Sequence, residues 1–171
     1  QEHTQQVYVV GSQQLQNALL TEFLVKEDVA AKSIPTALDI TTEILREQNQ
    51  NLFLVDYHSV DVNEVIAHLL EADQEVESDV LIAVFNVDSD ESLSKLAGLP
   101  MVNGGFQHDC PQALLSKGIK AIFDGELWVP RAVLQTLTDW SGRIDAPPSW
   151  ALGYHQCRYS YATAREVRTV A

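Results

Sequence analysis

Three residues in one short stretch of the chain have side chains that together could bind a nucleotide. Lys117 offers a compact positive charge, Trp128 a flat aromatic ring and Arg131 a guanidinium group. A guanidinium can form paired hydrogen bonds with phosphate or guanine acceptors, and an aromatic ring can stack on a base. The three could therefore hold a guanine base and a phosphate. The same stretch is also typical of a plain helix pair with a tight turn, in which Trp128 packs against a sheet and Arg131 faces solvent.

The elements that must position these side chains follow from the hydrophobic pattern. Short apolar runs, which predict buried strands, alternate with stretches whose apolar residues recur at helical spacing. The predicted strands are residues 7–10, 29–34, 51–55, 80–85 and 101–106. The predicted helices are residues 15–24, 36–46, 62–70, 93–97 and 111–122. Strands that alternate with helices in this way indicate a parallel sheet covered on both faces.

Right-handed crossovers make a doubly wound sheet the natural topology for this alternation. We predict an α/β, flavodoxin-like fold with a five-stranded parallel sheet in the order 2-1-3-4-5 and an additional sixth helix. Residues 5–126 form the predicted main domain, and residues 127–142 the additional helix, with Pro130 in its first turn. Residues 143–171 are predicted to be a linker, followed by the possible start of a truncated domain whose last segment, residues 159–171, is helix-prone.

Composition limits the classes of function. The chain has 171 residues and a net charge of −13, and an acidic body repels a phosphate backbone. Cys110 and Cys157 lie far apart and form no metal or redox spacing. No run of about 18 apolar residues, the length that spans a membrane, is present. We therefore expect a cytoplasmic protein without a membrane segment, a metal site or a catalytic motif.

Asp56 follows the third predicted strand, at the sheet edge where α/β proteins place their chemistry. The chain resembles the receiver domain of a response regulator, and that resemblance makes Asp56 the phospho-acceptor position. Phosphoryl transfer to a carboxylate needs a divalent cation held by acidic oxygens. Gly11 and Ser12 stand where receivers have an acidic pair, and Asn86 where they have a hydroxyl. These departures favour a degenerate site over a working phosphorylation site.

The segments around Lys117, Trp128 and Arg131 resemble the CsgD/VpsT branch of LuxR-type transcription regulators. Members that bind cyclic di-GMP have Trp, then Phe, Leu or Met, then Thr or Ser, then Arg, with a lysine about eleven positions before the Trp. The chain departs at Val129, which is smaller, and at Pro130, which has neither a hydroxyl nor a backbone N–H. The resemblance implies a degenerate receiver that binds cyclic di-GMP through Lys117, Trp128 and Arg131.

The resemblance further implies a homodimer that responds to cyclic di-GMP, controls biofilm-related genes and contacts DNA only through a C-terminal helix-turn-helix domain. The tail vaguely resembles the first helix of such a domain, which therefore looks missing or truncated. We expect no enzyme activity and no cofactor beyond the regulatory ligand. Two alternatives remain open: a dimerisation domain that needs no ligand, and a response regulator phosphorylated on Asp56.

Overall fold

Strands and helices alternate from the first described residue to Phe123. A computed structural model describes residues 5–47, 50–73, 79–99, 101–131, 133 and 161–162. The strands are β1 (Gln5–Val10), β2 (Ala31–Ile34), β3 (Gln50–Asp56), β4 (Asp79–Val87), β5 (Val102–Gln107), β6 (Val129–Pro130) and β7 (Tyr161–Ala162). The helices are α1 (Gln14–Lys26), α2 (Thr42–Glu47), α3 (Val62–Asp73), α4 (Asp90–Ala97) and α5 (Gln112–Phe123), with a 3-10 turn at Ala37–Asp39.

The main sheet has five parallel strands in the order β2-β1-β3-β4-β5, which confirms the predicted fold class. In this register Val10 of β1 is opposite Val55 of β3, and Asp56 is opposite Phe85 of β4. Both faces of β3 are covered, because every residue from Asn51 to Asp56 is buried. The register therefore brings the C-terminal ends of β1 and β3 side by side, where Asp56 lies.

Local chemistry sets the ends of the helices. Ser89 caps α4 by accepting a hydrogen bond from Ser92 N, and the acidic Asp90 and Glu91 follow in the first turn. Helix α5 ends at Phe123, and Gly125 lies in the turn that follows, where its φ of 88° suits glycine and its N donates to Ile122 O. This turn sends the chain back towards β5.

Three sequence predictions are wrong in part. The helix predicted at residues 36–46 is a 3-10 turn followed by α2, because Thr36 accepts from Leu38 N and caps the turn separately. The additional helix predicted at residues 127–142 starts later: residues 128–130 are extended, and helix is described at Arg131 and Val133. Main-chain bonds of Trp128 to Asn103 and Gly105 favour the extended form.

The third error concerns the C-terminal tail, which was predicted to favour helix. Tyr161–Ala162 form β7, which pairs antiparallel with β6, so that Val129 is opposite Ala162. The rest of the predicted linker and truncated domain, like the rest of the additional helix, lies outside the described residues. The chain divides into two compact units, which are residues 1–85 and residues 86–171. Asp56 belongs to the first unit, and Lys117, Trp128 and Arg131 belong to the second.

Candidate functional site

Asp56 is a fully buried carboxylate whose oxygens accept hydrogen bonds from its own unit. Its exposed fraction is 0%. Gln16, on the first turn of α1, donates from Nε2 to Asp56 Oδ2 at 3.0 Å. The backbone N–H of His58 donates to Oδ1 at 3.1 Å. Asp56 is thus held at the end of β3 as a hydrogen-bond acceptor between α1 and the turn that follows the strand.

Gly11 allows the end of β1 to approach the side chains of Asp56 and Ser59 closely. A Cβ atom at Gly11 would lie 2.9 Å from Asp56 Cβ and 2.9 Å from Ser59 Oγ. The buried Asn17 donates to Gly11 O at 2.9 Å, and Ser12 N donates to Ser59 Oγ at 3.1 Å. Side chains longer than hydrogen at position 11 would have to displace these neighbours. The residue that replaces the first receiver acid is therefore required by packing.

Neutral groups surround Asp56 where a phosphorylation site needs acids. The side-chain amide of Gln16 donates to Asp56 Oδ2, and that of Asn17 donates to Gly11 O. An N–H donor carries a partial positive charge and repels a cation, whereas a carboxylate oxygen would bind it. Within the described ranges there is no cluster of three or more His, Cys, Asp or Glu side chains that could hold a metal ion. The arrangement can fix Asp56 in place, and the part of the chain that the structure describes supplies no cluster of acidic ligands for Mg²⁺.

Trp128 is tied to β5 through its backbone. Trp128 N donates to Asn103 O at 2.9 Å, and Gly105 N donates to Trp128 O at 3.0 Å. These bonds form a parallel bridge between Trp128 and Gly104. A Cβ atom at Gly104 would lie 2.5 Å from Ile122 Cδ1 and 3.1 Å from Trp128 O, so a larger residue there would have to displace the end of the Ile122 side chain. Gly104 and Gly105 thus lie where the backbone of Trp128 approaches β5 closely.

The indole of Trp128 packs against α5 and β5. A Cβ atom at Gly118 would lie 2.6 Å from Trp128 Nε1 and 2.7 Å from Phe106 Cε1, so both rings touch the helix at this glycine. The exposed fraction of Trp128 is 4%. In this conformation the indole has no face open to a ligand base. Trp128 instead fixes the start of the following segment to α5.

Lys117 and Arg131 flank this packed tryptophan. Lys117 is exposed on α5, directly before the glycine that Trp128 contacts, and Arg131 is half-buried at the start of the helix after β6. Val129 is buried and Pro130 half-buried between them. The three predicted site residues thus share one unit, and Trp128 differs from the other two in being buried. Binding of cyclic di-GMP by Lys117, Trp128 and Arg131 remains a prediction.

Sequence reasoning missed the residues that surround Asp56. These residues are Gln16, Asn17 and Ser59, and none of them has an ionisable side chain. Gln16 and Asn17 also lie about 40 positions before Asp56, and Ser59 lies in the short turn after it. One signal was present. Gln16 and Asn17 occupy the first turn of the helix that follows β1, and in a parallel sheet this turn opens at the same edge as the end of β3.

Comparisons with known proteins bear on the fold. No protein-family model matches the chain. A stretch of 42 residues is 60% identical to alpha-glucosidase 2 of Bacillus thermoamyloliquefaciens, which covers 25% of this chain and 5% of that enzyme. The chain thus spans a very small part of this curated relative, too little to carry its activity over. Separately, no helix in the described part of the chain has the length and apolar character needed to cross a membrane.

Solved structures similar to the chain are regulatory and receiver domains. The regulatory domain of the master biofilm regulator CsgD matches with a TM-score of 0.59 at 16% identity, over 78% of this chain and 98% of that one. The receiver domain of NarL from Mycobacterium tuberculosis matches with a TM-score of 0.53 at 17% identity, over 73% and 99%. A CheY-like receiver domain from Methanospirillum hungatei JF-1 matches with a TM-score of 0.50 at 17% identity, over 71% and 95%. The chain has the fold of response-regulator receiver domains.

Proposed function

We propose that this chain is the regulatory domain of a transcription regulator and that it receives its signal without phosphorylation of Asp56. The observation that carries the proposal is the hydrogen bond from Gln16 Nε2 to the buried Asp56 Oδ2. A phospho-acceptor carboxylate must reach a phosphodonor and share a divalent cation with neighbouring acids. Here a neutral amide occupies one oxygen, and Gly11 stands where the first acid is expected.

The proposal has an immediate test. The full chain is incubated with acetyl phosphate and Mg²⁺, and its intact mass is measured. We expect no added phosphoryl group in the wild type or in Asp56→Asn. Asp61→Asn changes an exposed aspartate in the following loop and serves as the matched control. A phosphoryl group that appears in the wild type and in Asp61→Asn, and is absent from Asp56→Asn, would contradict the proposal and establish the phosphorylated alternative.

For the signal itself we propose cyclic di-GMP, bound near Lys117 and Arg131. Supporting this ligand, Lys117 offers an exposed ammonium on α5, and Trp128 holds the chain segment before Arg131 against the same helix. Arg131 can fork onto a phosphate or onto guanine acceptors, and Lys117 can supply a second charge to a phosphate. In this proposal Trp128 sets the spacing between the two cations.

Calorimetric titration with cyclic di-GMP tests the ligand. Arg131→Ala should abolish binding or weaken it by roughly 10- to 100-fold, the range expected for losing a charge-assisted hydrogen bond. Lys117→Ala should weaken it by a smaller factor. Lys120→Ala removes an exposed lysine from the same helix and should leave the affinity unchanged. Absence of heat at high micromolar ligand would contradict the ligand and leave the ligand-independent dimerisation domain as the alternative.

The likeness to the CsgD regulatory domain supports the finer parts of the proposal. In this proposal the chain is a cytoplasmic homodimer without enzyme activity of its own, and the regulator controls biofilm-related genes. DNA contact belongs to a C-terminal helix-turn-helix domain, which is not among the described residues. Reporter transcription that responds to cyclic di-GMP in cells with the wild-type regulator, but not with Arg131→Ala, would be the expected result.

A further inference from the structure

Asn103 is the one asparagine of the chain that is followed by a glycine. An Asn-Gly pair can lose ammonia without an enzyme, because glycine has no side chain to hinder the attack of its backbone nitrogen on the asparagine side chain. Asn103 is half-buried, so water can reach its side chain. No hydrogen bond to another described residue fixes its amide group. The pair Asn103–Gly104 therefore has the residue types and the access that spontaneous deamidation needs.

The reaction of such a pair needs only the chain and water. The backbone nitrogen of Gly104 forms a bond to Cγ of Asn103, the bond from Cγ to Nδ2 breaks, and Nδ2 leaves as ammonia with the proton of Gly104 N. Water then opens the five-membered imide that results. Opening at Cγ gives aspartate, and opening at the main-chain carbonyl carbon gives isoaspartate, whose backbone runs through the side chain.

The extended backbone of β5 opposes the closure of this ring. The ring closes only when Cβ of Asn103 and N of Gly104 come to the same side of the bond between Cα and the carbonyl carbon of Asn103. Both residues belong to β5, and the ψ angle of an extended residue holds these two atoms well apart. Asn103 must therefore leave the strand conformation, by rotation about that bond, before it can react.

The backbone bridge to Trp128 resists this rotation. Asn103 O accepts from Trp128 N at 2.9 Å, and Gly105 N donates to Trp128 O at 3.0 Å. The rotation that closes the ring also turns Asn103 O, so it must break the hydrogen bond from Trp128 N. β5 is the last strand of the main sheet, and the bridge at Gly104 covers its outer edge. The bridge thus acts on the same torsion angle that the reaction has to change.

We propose that Asn103 is a latent deamidation site and that the backbone bridge to Trp128 suppresses the reaction. Opening of the bridge allows Asn103 to become aspartate or isoaspartate. Isoaspartate adds a carbon atom to the main chain of β5, so that Asn103 O no longer meets Trp128 N and the bridge does not form again. The inference concerns a covalent modification of β5 and does not depend on the proposed ligand.

Peptide mass mapping of the full chain during storage in mildly alkaline buffer tests the site. We expect Asn103 to convert more than about 10-fold more slowly in native buffer than in concentrated urea, where the strand is absent. The readout is the mass difference between an amide and an acid, which isomerisation of the exposed Asp124–Gly125 pair does not produce. Asn103→Ser should lack this change at position 103. A native chain that converts as fast as the unfolded one, or conversion in urea that spares Asn103, overturns the inference.

Two substitutions at position 128 separate the backbone bond from the indole. Trp128→Ala removes the indole and keeps the N–H, whereas Trp128→Pro removes both. Loss of one backbone hydrogen bond raises the population of the open strand, so Asn103 should convert roughly 2- to 10-fold faster in Trp128→Pro than in Trp128→Ala. Circular dichroism checks that both variants are folded. Equal rates in the two folded variants overturn the inference.

Hydrogen exchange in the wild type gives the same test if the proline variant does not fold. Urea added below the unfolding transition increases local opening of the strand. Exchange of Trp128 N–H and conversion of Asn103 should then accelerate by the same factor. Conversion that does not follow the exchange of Trp128 N–H overturns the role of the bridge.

Discussion

Gln16 and Asp56 lie 40 positions apart in the sequence, and the side-chain amide of the first donates to the buried carboxylate of the second. The bond joins the first turn of α1 to the end of β3. It gives the aspartate a neutral hydrogen-bond donor at the edge of the sheet where receiver domains use acids and a cation. Asp56 is therefore held in place by hydrogen bonds from its own unit, and its role as a degenerate phospho-acceptor position remains a prediction.

A charge change at Gln16 should expose this arrangement. Gln16→Glu removes the donor and puts a second carboxylate beside Asp56, so we expect a loss of about 1–3 kcal/mol in the free energy of unfolding. Added Mg²⁺ should recover part of the loss, because the two carboxylates can then share a cation. Urea denaturation with and without Mg²⁺ measures both effects. Gln14→Glu, exposed on the same helix, should change little; equal stabilities of the two variants would contradict the prediction.

The contact between Trp128 and Gly118 can be tested by adding one methyl group. Gly118→Ala places a Cβ atom within 2.6 Å of Trp128 Nε1, and overpacking of this kind costs about 1–3 kcal/mol of stability. Gly98→Ala is the control, since its nearest neighbour would be 3.6 Å away. Urea denaturation should separate the two variants. A Gly118→Ala protein as stable as Gly98→Ala would show that the indole packs elsewhere.

Tyr8 should make the stability depend on alkaline pH. Burial, followed by the charge of Glu47, raises the pKa of the Tyr8 hydroxyl above its ordinary value of 10.0. The folded state therefore holds this proton more tightly than the unfolded state does. The associated stability is fully present below pH 10 and is lost as the pH rises through the raised pKa. Tyr8→Phe should remove this contribution to the decrease of the free energy of unfolding with rising pH. Denaturation measured at several alkaline pH values checks it.

At neutral pH the same substitution should not destabilise the chain. The Tyr8 hydroxyl is buried without a hydrogen-bond partner in the described part of the chain, while its ring stacks on Phe53 at 5.2 Å. Tyr8→Phe keeps the stacked ring and removes a polar atom from the core, so stability should be unchanged or higher by about 1 kcal/mol. A clear loss of stability would show that the hydroxyl has a partner in solution.

The helix cap of α4 offers a further prediction. Ser89→Ala removes the acceptor for Ser92 N and should lower the free energy of unfolding by about 1 kcal/mol. Ser94→Ala is the matched control within the same helix. Ser94 Oγ donates to Asp90 O, a bond that helices do not need, and alanine has the better helix propensity. If thermal denaturation gives Ser89→Ala and Ser94→Ala the same midpoint, the cap contributes nothing.

Local patterns were sufficient for the sheet and insufficient for the site. The apolar run ending at Asp56 predicted both β3 and the edge position of the carboxylate, because a buried parallel strand is nearly continuous in hydrophobic residues. The partner of Asp56 was not predictable in the same way. Gln16 reaches it only once α1 has packed against β1 and β2, and a glutamine in the sequence does not indicate that outcome.

The segment at Trp128 is a second case in which local sequence patterns did not predict the structure. Pro130 suits the first turn of a helix, and on local grounds the helix was expected to include Trp128. Hydrogen bonds to Asn103 and Gly105, more than 20 positions earlier, decide the extended form instead. Pro130 tolerates that form as well, since an edge strand does not need its missing N–H.

The bridge between Trp128 and Gly104 also affects how the folded chain meets other strands. β5 is the last strand of the sheet, and its glycines offer no side chain to obstruct an incoming backbone. An open edge of this kind is a template for intermolecular β-aggregation. Trp128 takes up Asn103 O and Gly105 N, which would otherwise bond to a foreign strand. Both hydrogen bonds involve only the backbone of Trp128, so the shielding of this edge depends on the course of the chain at position 128 and on no ligand.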